Sequence, residues 1–146
     1  MEEKITIPER IKGEFSCKEV DVRSLSPLNL AFVGDCIFDL MLRTLLVMEA
    51  NRPAHELHVR KSGIAKAETQ ARMAEVLEDA LSEEEAAVFR RGRNAKSGTA
   101  AKNASVTDYR KATGLEALMG YLYLAGREER MMELLKLGLE RLKLRP

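Results

Sequence analysis

Residues 26–49 read SPLNLAFVGDCIFDLMLRTLLVME, and this stretch predicts the first long helix of the protein. Ser26 is a typical N-cap residue, and Pro27 suits the first helical turn because the N–H it lacks would have no partner there. Asp35 falls on a stripe of apolar side chains that recur at helical spacing. The stripe consists of Leu28, Ala31, Phe32, Leu42 and Leu46. We predict a helix over residues 27–49 that ends before Pro53.

A second carboxylate stands in a similar setting. Residues 115–125 read LEALMGYLYLA, which is apolar on nearly every side, and Glu116 is the only charge in it. A carboxylate among packed side chains is costly unless something compensates it, and a bound cation is the usual compensation. If the fold brings Asp35 and Glu116 together, they form a candidate metal site. Two carboxylates are few for a complete cage, but Mg²⁺ keeps several waters and takes only one or two of them.

Each acid in these segments also has a structural interpretation. Asp35 suits a buried hydrogen bond or a dimer contact, and Thr113 and Glu116 have the spacing of a capping box. Asp39 lies one helical turn after Asp35, and we expect it to pair with a cation such as Arg43 rather than to act as a third ligand. We expect Asp108 to be a cap.

Composition indicates one globular domain. The chain has 146 residues, of which 45% are hydrophobic and 32% charged. Aromatic residues make up 5% and there is no Trp, which argues against an RNA-recognition sheet built on stacked rings.

Cys17 and Cys36 fit no metal or redox spacing, so we expect free thiols. With no apolar signal core and no membrane-spanning run, we expect a cytoplasmic protein.

The rest of the chain also predicts helices. We expect them over residues 53–61, 64–81, 82–92, 107–125 and 127–143, with a break or kink at Ser62-Gly63 and a capping box at residues 82–85. The best strand candidate, residues 4–7, is short. His55 and His58 are three positions apart, whereas the two histidines of a zincin helix are four positions apart. We therefore expect both to be surface residues rather than metal ligands. The sequence therefore predicts an all-α single domain.

Residues 93–106 read RNAKSGTAAKNASV and lack apolar periodicity, which predicts a loop. The surrounding segment has only Asp108 as an acid but seven basic residues: Arg90, Arg91, Arg93, Lys96, Lys102, Arg110 and Lys111. One interpretation is a solvated, mobile connection. The other is a phosphate-binding loop, because lysine and arginine supply charge and asparagine and serine supply donors. The pattern is not a P-loop.

These motifs together resemble the catalytic domain of the ribonuclease III family, and most closely its short Mini-III members. The resemblance extends over about residues 25–142. It is carried by LAFVGDCIFD at 30–39, GLEALMGYLYL at 114–124, RGRNAKSG at 91–98, Lys102-Asn103, Tyr109-Arg110, and residues 59–71 with Lys66 and Gln70. It implies a helical, dimeric ribonuclease III-like endonuclease domain over residues 25–146. Residues 1–24 form an extension to which we assign no role.

The resemblance also implies roles for single residues. Asp35 and Glu116 match the family's catalytic, metal-ligating acids. Longer family members carry further acids where this chain has Ala31 and Thr113. Expected RNA-binding residues are Lys66, Arg93, Asn94, Lys96, Lys102, Asn103 and Arg110.

The implied activity is that of a homodimeric endoribonuclease that uses Mg²⁺, for which Mn²⁺ can substitute. It would cut double-stranded RNA, one strand per subunit, to leave 5′-phosphate ends, with precursor 23S ribosomal RNA as the expected substrate. We expect a dimer interface that involves Phe32, Ile37 or Phe38. Two alternatives stay open: a non-catalytic RNA-binding or ribosome-assembly factor, and an all-α nucleotide pyrophosphatase, for which Glu75 and Glu78 are the best ligand pair.

Overall fold

One helix lies at the centre of the fold. In the computed structural model, which describes residues 5–96 and 105–144, helix α6 (Val106–Leu124) packs against α2 (Pro27–Glu49), α4 (Ala67–Leu77), α5 (Glu83–Asn94) and α7 (Glu128–Arg141). Its sequence is apolar nearly all round, and its side chains from residue 112 to residue 122 are buried except that of Glu116, which is half-buried. The predicted all-α class is confirmed, since no described residue lies in a strand.

Helix α2 has the predicted bounds. The Ser26 hydroxyl accepts a hydrogen bond from the Asn29 N–H at 3.1 Å, which is the expected N-cap contact. The core forms where α2 meets α6, and the largest fully buried side chains include Phe38, Leu42 and Tyr121. Helix α5 likewise begins with the predicted capping box, in which Ser82 and Glu85 bond reciprocally.

The helical hairpin before α5 breaks at a different residue from the one predicted. Helix α3 spans Ala54–Ala65, so Gly63 lies inside it, and the chain is extended only at Lys66, before α4. The Thr69 hydroxyl donates to the Gly63 carbonyl and the Gln70 amide donates to the Ala65 carbonyl, both at 2.9 Å. These side chains satisfy the carbonyls at the end of α3, which places the break there rather than at Ser62-Gly63.

The N-terminal region contains a helix that we did not predict. Helix α1 spans Ile7–Glu14. The predicted strand over residues 4–7 is therefore wrong at Ile5, Thr6 and Ile7, and its first residue, Lys4, lies outside the described residues. The signal was present in the sequence: Thr6 and Glu9 form a capping box. A 3-10 turn over Val22–Ser24 then leads to α2.

The segment before α2 is tied to α5 by one side chain. The Arg91 guanidinium donates to the carbonyl oxygens of Arg23 and Leu25, both at 3.1 Å. Val22 and Leu25 pack against the core beside these contacts. Arg91 is one of the seven basic residues of the segment around residues 93–106, and its side chain holds the N-terminal region in place.

Three smaller expectations also have outcomes. Cys17 and Cys36 are free and exposed, and His55 and His58 are exposed, as predicted. None of the helices in the described part of the chain has the length and hydropathy that a membrane crossing requires.

Candidate metal centre and nucleic-acid surface

The fold brings Asp35 and Glu116 together. Their side chains are within hydrogen-bonding distance of each other across the crossing of α2 and α6. Two glycines make this approach possible. A Cβ atom on Gly34 would overlap the Glu116 carbonyl oxygen, and a Cβ atom on Gly120 would overlap the Leu30 carbonyl oxygen. Because neither glycine has a side chain, the backbones of α2 and α6 touch, and the carboxyl groups of Asp35 and Glu116 come together.

Glu116 is the more enclosed of the two acids. Its side chain is half-buried, whereas Asp35 is exposed. Burial, together with the hydrogen bond to Asp35 and the charge of that residue, raises the pKa of Glu116 to about 9. In the metal-free protein the pair therefore holds a proton at neutral pH. These two carboxylates would hold a divalent cation in competition with that proton, so the chemistry of the donor pair fits such an ion.

The exposure of Asp35 corrects one premise of the sequence analysis. The side of α2 that carries Leu28, Phe32 and Asp35 is not covered by other described residues: Leu28 is 39% exposed and Phe32 is 82% exposed. Ala31, Leu42 and Leu46 from the predicted stripe are buried. The expectation that Ile37 or Phe38 forms an interface patch is wrong, since both are buried in the monomer core. Phe32 alone of the three presents its side chain to the surface.

The donor set restricts the kind of metal. Among the described residues, no cluster of three or more His, Cys, Asp or Glu side chains is placed to hold an ion. Carboxylate oxygens without thiolate or imidazole suit Mg²⁺ or Mn²⁺, with waters and substrate oxygens completing the coordination. Ala31 and Thr113, the positions where the resemblance implies further acids in longer members, have no carboxylate to add, and both are buried.

Two alternative roles for nearby acids are settled by contacts. Thr113 lies inside α6, and its hydroxyl donates to the Tyr109 carbonyl at 3.0 Å, so it does not begin a capping box with Glu116. The N-cap of α6 is Ser105, whose hydroxyl accepts from the Asp108 N–H, so the expectation that Asp108 is a cap is wrong. Asp39 pairs with Arg43 at 2.5 Å, as predicted, and also with Lys61 at 3.2 Å, which joins α2 to α3.

The predicted RNA-binding residues are spread over three elements. Arg93 and Asn94 form the last turn of α5, Lys96 follows it, Lys66 lies between α3 and α4, and Arg110 is on α6. Of these five residues, all but the half-buried Arg93 are exposed. Lys102 and Asn103 lie outside the described residues. The predicted loop over residues 93–106 is wrong at Arg93, Asn94 and Val106, which lie in α5 and α6, and its residues 97–104 lie outside the described part of the chain.

Contacts within α5 orient one of these basic side chains. The Arg93 guanidinium carbon lies 6.0 Å from the centroid of the Phe89 ring, and Arg93 Nε donates to Asn94 Oδ1 at 3.2 Å. These contacts hold the charged group beside the end of α5. By contrast, Lys111 pairs with Glu75 at 2.6 Å, so it connects α6 with α4.

Gln70 lies in the stretch 59–71 that carries part of the resemblance, but the sequence predicted no role for Thr69 or Gln70, the residues that shape the Lys66 junction. Thr69 and Gln70 are each 4% exposed, and their bonds to the end of α3 fix the extended backbone at Lys66. The available signal was a pair of polar residues in the first turn of α4, where side chains often satisfy free backbone groups. We assign them a positioning role toward Lys66.

Comparison with known proteins decides the family. Residues 28–127, which include Asp35 and Glu116, match the family model of the Ribonuclease III domain. The chain belongs to the ribonuclease III family. This ribonuclease III domain covers α2 to α6, the helices that build the carboxylate pair. The match begins at residue 28, and our domain boundary at residue 25 stays a prediction.

Several curated members of the ribonuclease III family are similar over most of their length. Mini-ribonuclease 3 of Thermoanaerobacter sp. (strain X514) is 49% identical over 119 residues, which is 82% of this chain and 84% of that protein. Mini-ribonuclease 3 of Clostridium tetani is 42% identical over 126 residues, or 86% and 83% of the two chains. The resemblance to this family drawn from the sequence is thereby confirmed.

A solved structure has the same fold. The crystal structure of a protein from Fusobacterium nucleatum superposes with a TM-score of 0.74 at 27% identity, covering 84% of this chain and 98% of that one. Membership of the ribonuclease III family places the chain in a class of endoribonucleases.

Proposed function

We propose that this protein is a Mg²⁺-dependent endoribonuclease that cleaves double-stranded RNA as a homodimer. The observation that carries the proposal is the meeting of Asp35 and Glu116 at the glycine-lined crossing of α2 and α6. A half-buried acid and an exposed acid interact here, and burial together with this interaction raises the pKa of Glu116 to about 9. Such an arrangement is typical of a functional site.

The two acids hold the metal ion in this proposal, and Mn²⁺ is an acceptable substitute because it prefers the same oxygen ligands. A bound Mg²⁺ supplies Lewis-acid polarisation of a phosphate and lowers the pKa of an attacking water. Glu116, enclosed by α6 and α2, keeps its carboxylate at a fixed position. Asp35, on the exposed side, leaves room for the RNA backbone to approach.

Binding of the duplex relies on the exposed basic residues. A-form RNA presents phosphates and 2′-hydroxyls rather than a readable major groove, so recognition by charge and shape suits this surface. Arg93 and Lys96 at the end of α5, Lys66 at the α3–α4 junction and Arg110 on α6 supply the positive charge in our proposal. Asn94 supplies a neutral donor, and Lys102 and Asn103, which lie outside the described residues, complete the proposed set.

Two further parts of the proposal concern assembly and substrate. Phe32, 82% exposed on the same helix as Asp35, is the anchor that we propose for the homodimer. A large exposed aromatic side chain is costly in water and typical of an interface core.

We also propose that the enzyme acts in the cytoplasm on precursor 23S ribosomal RNA and leaves 5′-phosphate ends, as the resemblance to short family members implies.

The test is cleavage of an end-labelled RNA duplex with Mg²⁺ by wild type, Asp35→Asn, Glu116→Gln and the control Glu129→Gln, which removes an exposed carboxylate from α7. Duplex binding is measured in parallel in Ca²⁺. We expect cleavage by wild type and the control, and binding without cleavage by the two site variants. Cleavage that survives both site substitutions would refute the metal site. Binding without cleavage by wild type would favour the non-catalytic RNA-binding alternative, since this chain has Ala31 and Thr113 where longer members have acids.

A further inference from the structure

Helix α1 has an apolar side that nothing in the described part of the chain covers. Ile7, Ile11 and Phe15 recur every four residues and are 54%, 49% and 75% exposed, and no residue of α1 is buried against the other described residues. An isolated helix of eight residues is too short to be stable in water, so packing against a surface has to supply its stability. The helix therefore requires a partner surface.

The charges of α1 indicate what kind of surface this is. Its polar side carries Glu9, Arg10, Lys12 and Glu14, two acids and two bases, so it has no net charge. A helix that binds RNA or an anionic membrane would present an excess of lysine and arginine. Mixed charge around an apolar stripe suits a protein groove instead.

The same chain presents an open apolar groove. Between the second half of α2 and α7 lies a cavity of about 1000 Å³, lined by Leu40, Thr44 and Met48 on one side and by Met132, Leu135 and Leu139 on the other. Leu40 is 52% exposed, Met48 is 80% exposed and Met132 is 51% exposed. Glu49, Lys136 and Glu140 at its rim carry both signs of charge, like the polar side of α1.

The groove and the helix agree in length and spacing. Leu40, Thr44 and Met48 recur every four residues, as do Ile7, Ile11 and Phe15. At 1.5 Å per residue, both rows extend over about 12 Å. A helix laid along this groove would therefore place one apolar side chain beside each of the three α2 positions.

The α1 helix of the same chain is held away from this groove. Thr6, at its start, lies beside Gly126 in the turn before α7, where a Cβ would be 3.8 Å from the Thr6 methyl group. The chain after α1 is fixed on α5 by the two bonds from Arg91 to the carbonyls of Arg23 and Leu25. No described residue of α1 lines the groove.

We propose that α1 of one subunit packs into the α2–α7 groove of a second copy. Exchange of identical helices about a two-fold axis gives two equal contacts, one per groove. The contact rests on the homodimer of the proposed function and gives residues 1–24 a role in assembly.

A cross-link from the single thiol near α1 tests the contact. Cys17, exposed and two residues after Phe15, is labelled with a benzophenone maleimide in a Cys36→Ser background that first has to sediment like wild type. Nitrogen-15-labelled and unlabelled chains are mixed, exchanged and irradiated. We expect links between a heavy and a light chain that map to residues 40–49 or 132–144. Links only within one chain, or only to other surfaces, would overturn the proposal.

Sedimentation of variants on both sides of the contact is the second arm. Ile11→Glu and Met48→Glu should each raise the dimer Kd at least about tenfold, because each places a charge in an apolar contact. Arg10→Gln, on the polar side of α1, should leave the Kd unchanged. A dimer unaffected by Ile11→Glu overturns the α1 contact but not the homodimer, whereas a monomeric wild type overturns both. RNA cleavage by wild type, assayed separately, shows whether the nuclease proposal stands in either case.

Discussion

The carbonyl oxygen of Glu116 occupies the space that a side chain at position 34 would need, so Gly34 and Glu116 are in backbone contact. This relationship explains why the two acids meet. Asp35 follows Gly34 on α2, and the Glu116 side chain leaves α6 at the contact itself. The glycine therefore sets the separation of the helices and, with it, the geometry of the proposed metal site.

Gly34→Ala should disrupt both stability and cleavage. The added methyl would overlap the Glu116 carbonyl, and a backbone atom cannot move aside without separating α2 from α6. We expect a loss of about 3 kcal/mol or more in the free energy of unfolding. Urea denaturation and the duplex-cleavage assay measure the two effects.

Gly63→Ala is the matched control. Gly63 also lies in a helix interior, but a Cβ there would meet no atom within 4 Å. Alanine should stabilise α3 by about 0.5 to 1 kcal/mol through its better helix propensity. If Gly34→Ala behaved like Gly63→Ala, the tight crossing of α2 and α6 would be wrong.

The thermal stability of the metal-free protein should fall as pH rises. Burial and Asp35 raise the pKa of Glu116 from 4.5 to about 9, so between these values the folded chain holds a proton that the unfolded chain has released. The stabilisation linked to this proton is complete below about pH 4.5 and is lost as pH approaches 9. Tm measured in EDTA across this window checks the direction.

Glu116→Gln should flatten this pH dependence, because glutamine does not titrate. Glu129→Gln, an exposed carboxylate on α7, should follow wild type. Should the Tm of Glu116→Gln fall as steeply as that of wild type, the proton would belong to another group.

Arg130→Ala should destabilise the fold by about 2 to 3 kcal/mol. Arg130 bonds both oxygens of Glu85 at 2.8 Å and also donates to the Ala80 carbonyl at 2.7 Å. Glu85 is buried, and the bond from Arg130 is the main cause of its lowered pKa. Removing the arginine leaves the buried carboxylate with Ser82 as its remaining partner, although partial exposure of Arg130 reduces the cost.

Arg60→Ala is the comparison for that loss, since Arg60 and Glu56 form an exposed pair at 3.2 Å on α3. Its effect should stay within about 0.5 kcal/mol. Chemical denaturation of both variants measures the difference. Equal losses for the two would show that burial of Glu85 contributes nothing.

Arg93→Ala should weaken RNA binding in a salt-dependent way. Its guanidinium is oriented by Phe89 and Asn94 at the end of α5, where we propose a phosphate contact. Loss of one such contact should lower the slope of log K against log salt concentration by about 1. Duplex binding in Ca²⁺ at several salt concentrations measures the slope, and Lys18→Ala, which removes an exposed charge that is not among the proposed RNA-binding residues, should leave it unchanged. An identical slope for Arg93→Ala would remove this residue from the binding surface.

Much of the helical framework was predictable because its signals are local. The bounds of α2 follow from Ser26 and Pro27 at one end and Pro53 beyond the other, and the start of α5 follows from the Ser82 capping box. The break at Lys66 was not predictable in the same way. It depends on bonds that Thr69 and Gln70 make back to α3, and these form only after the two helices have turned against each other.

The amino-acid sequence by itself determined the helical class, the N-terminal caps of α2 and α5 and the two acids of the proposed site, because periodicity, capping and isolated charges are properties of neighbouring residues. Only the tertiary structure decided that Asp35 is exposed while Glu116 is enclosed, and that Phe32 faces outward while Phe38 is buried. Residues on one helix differ in burial according to where α6 crosses α2. That crossing is set by the fit of Gly34 and Gly120 against backbone atoms far away in the sequence, which no local pattern encodes.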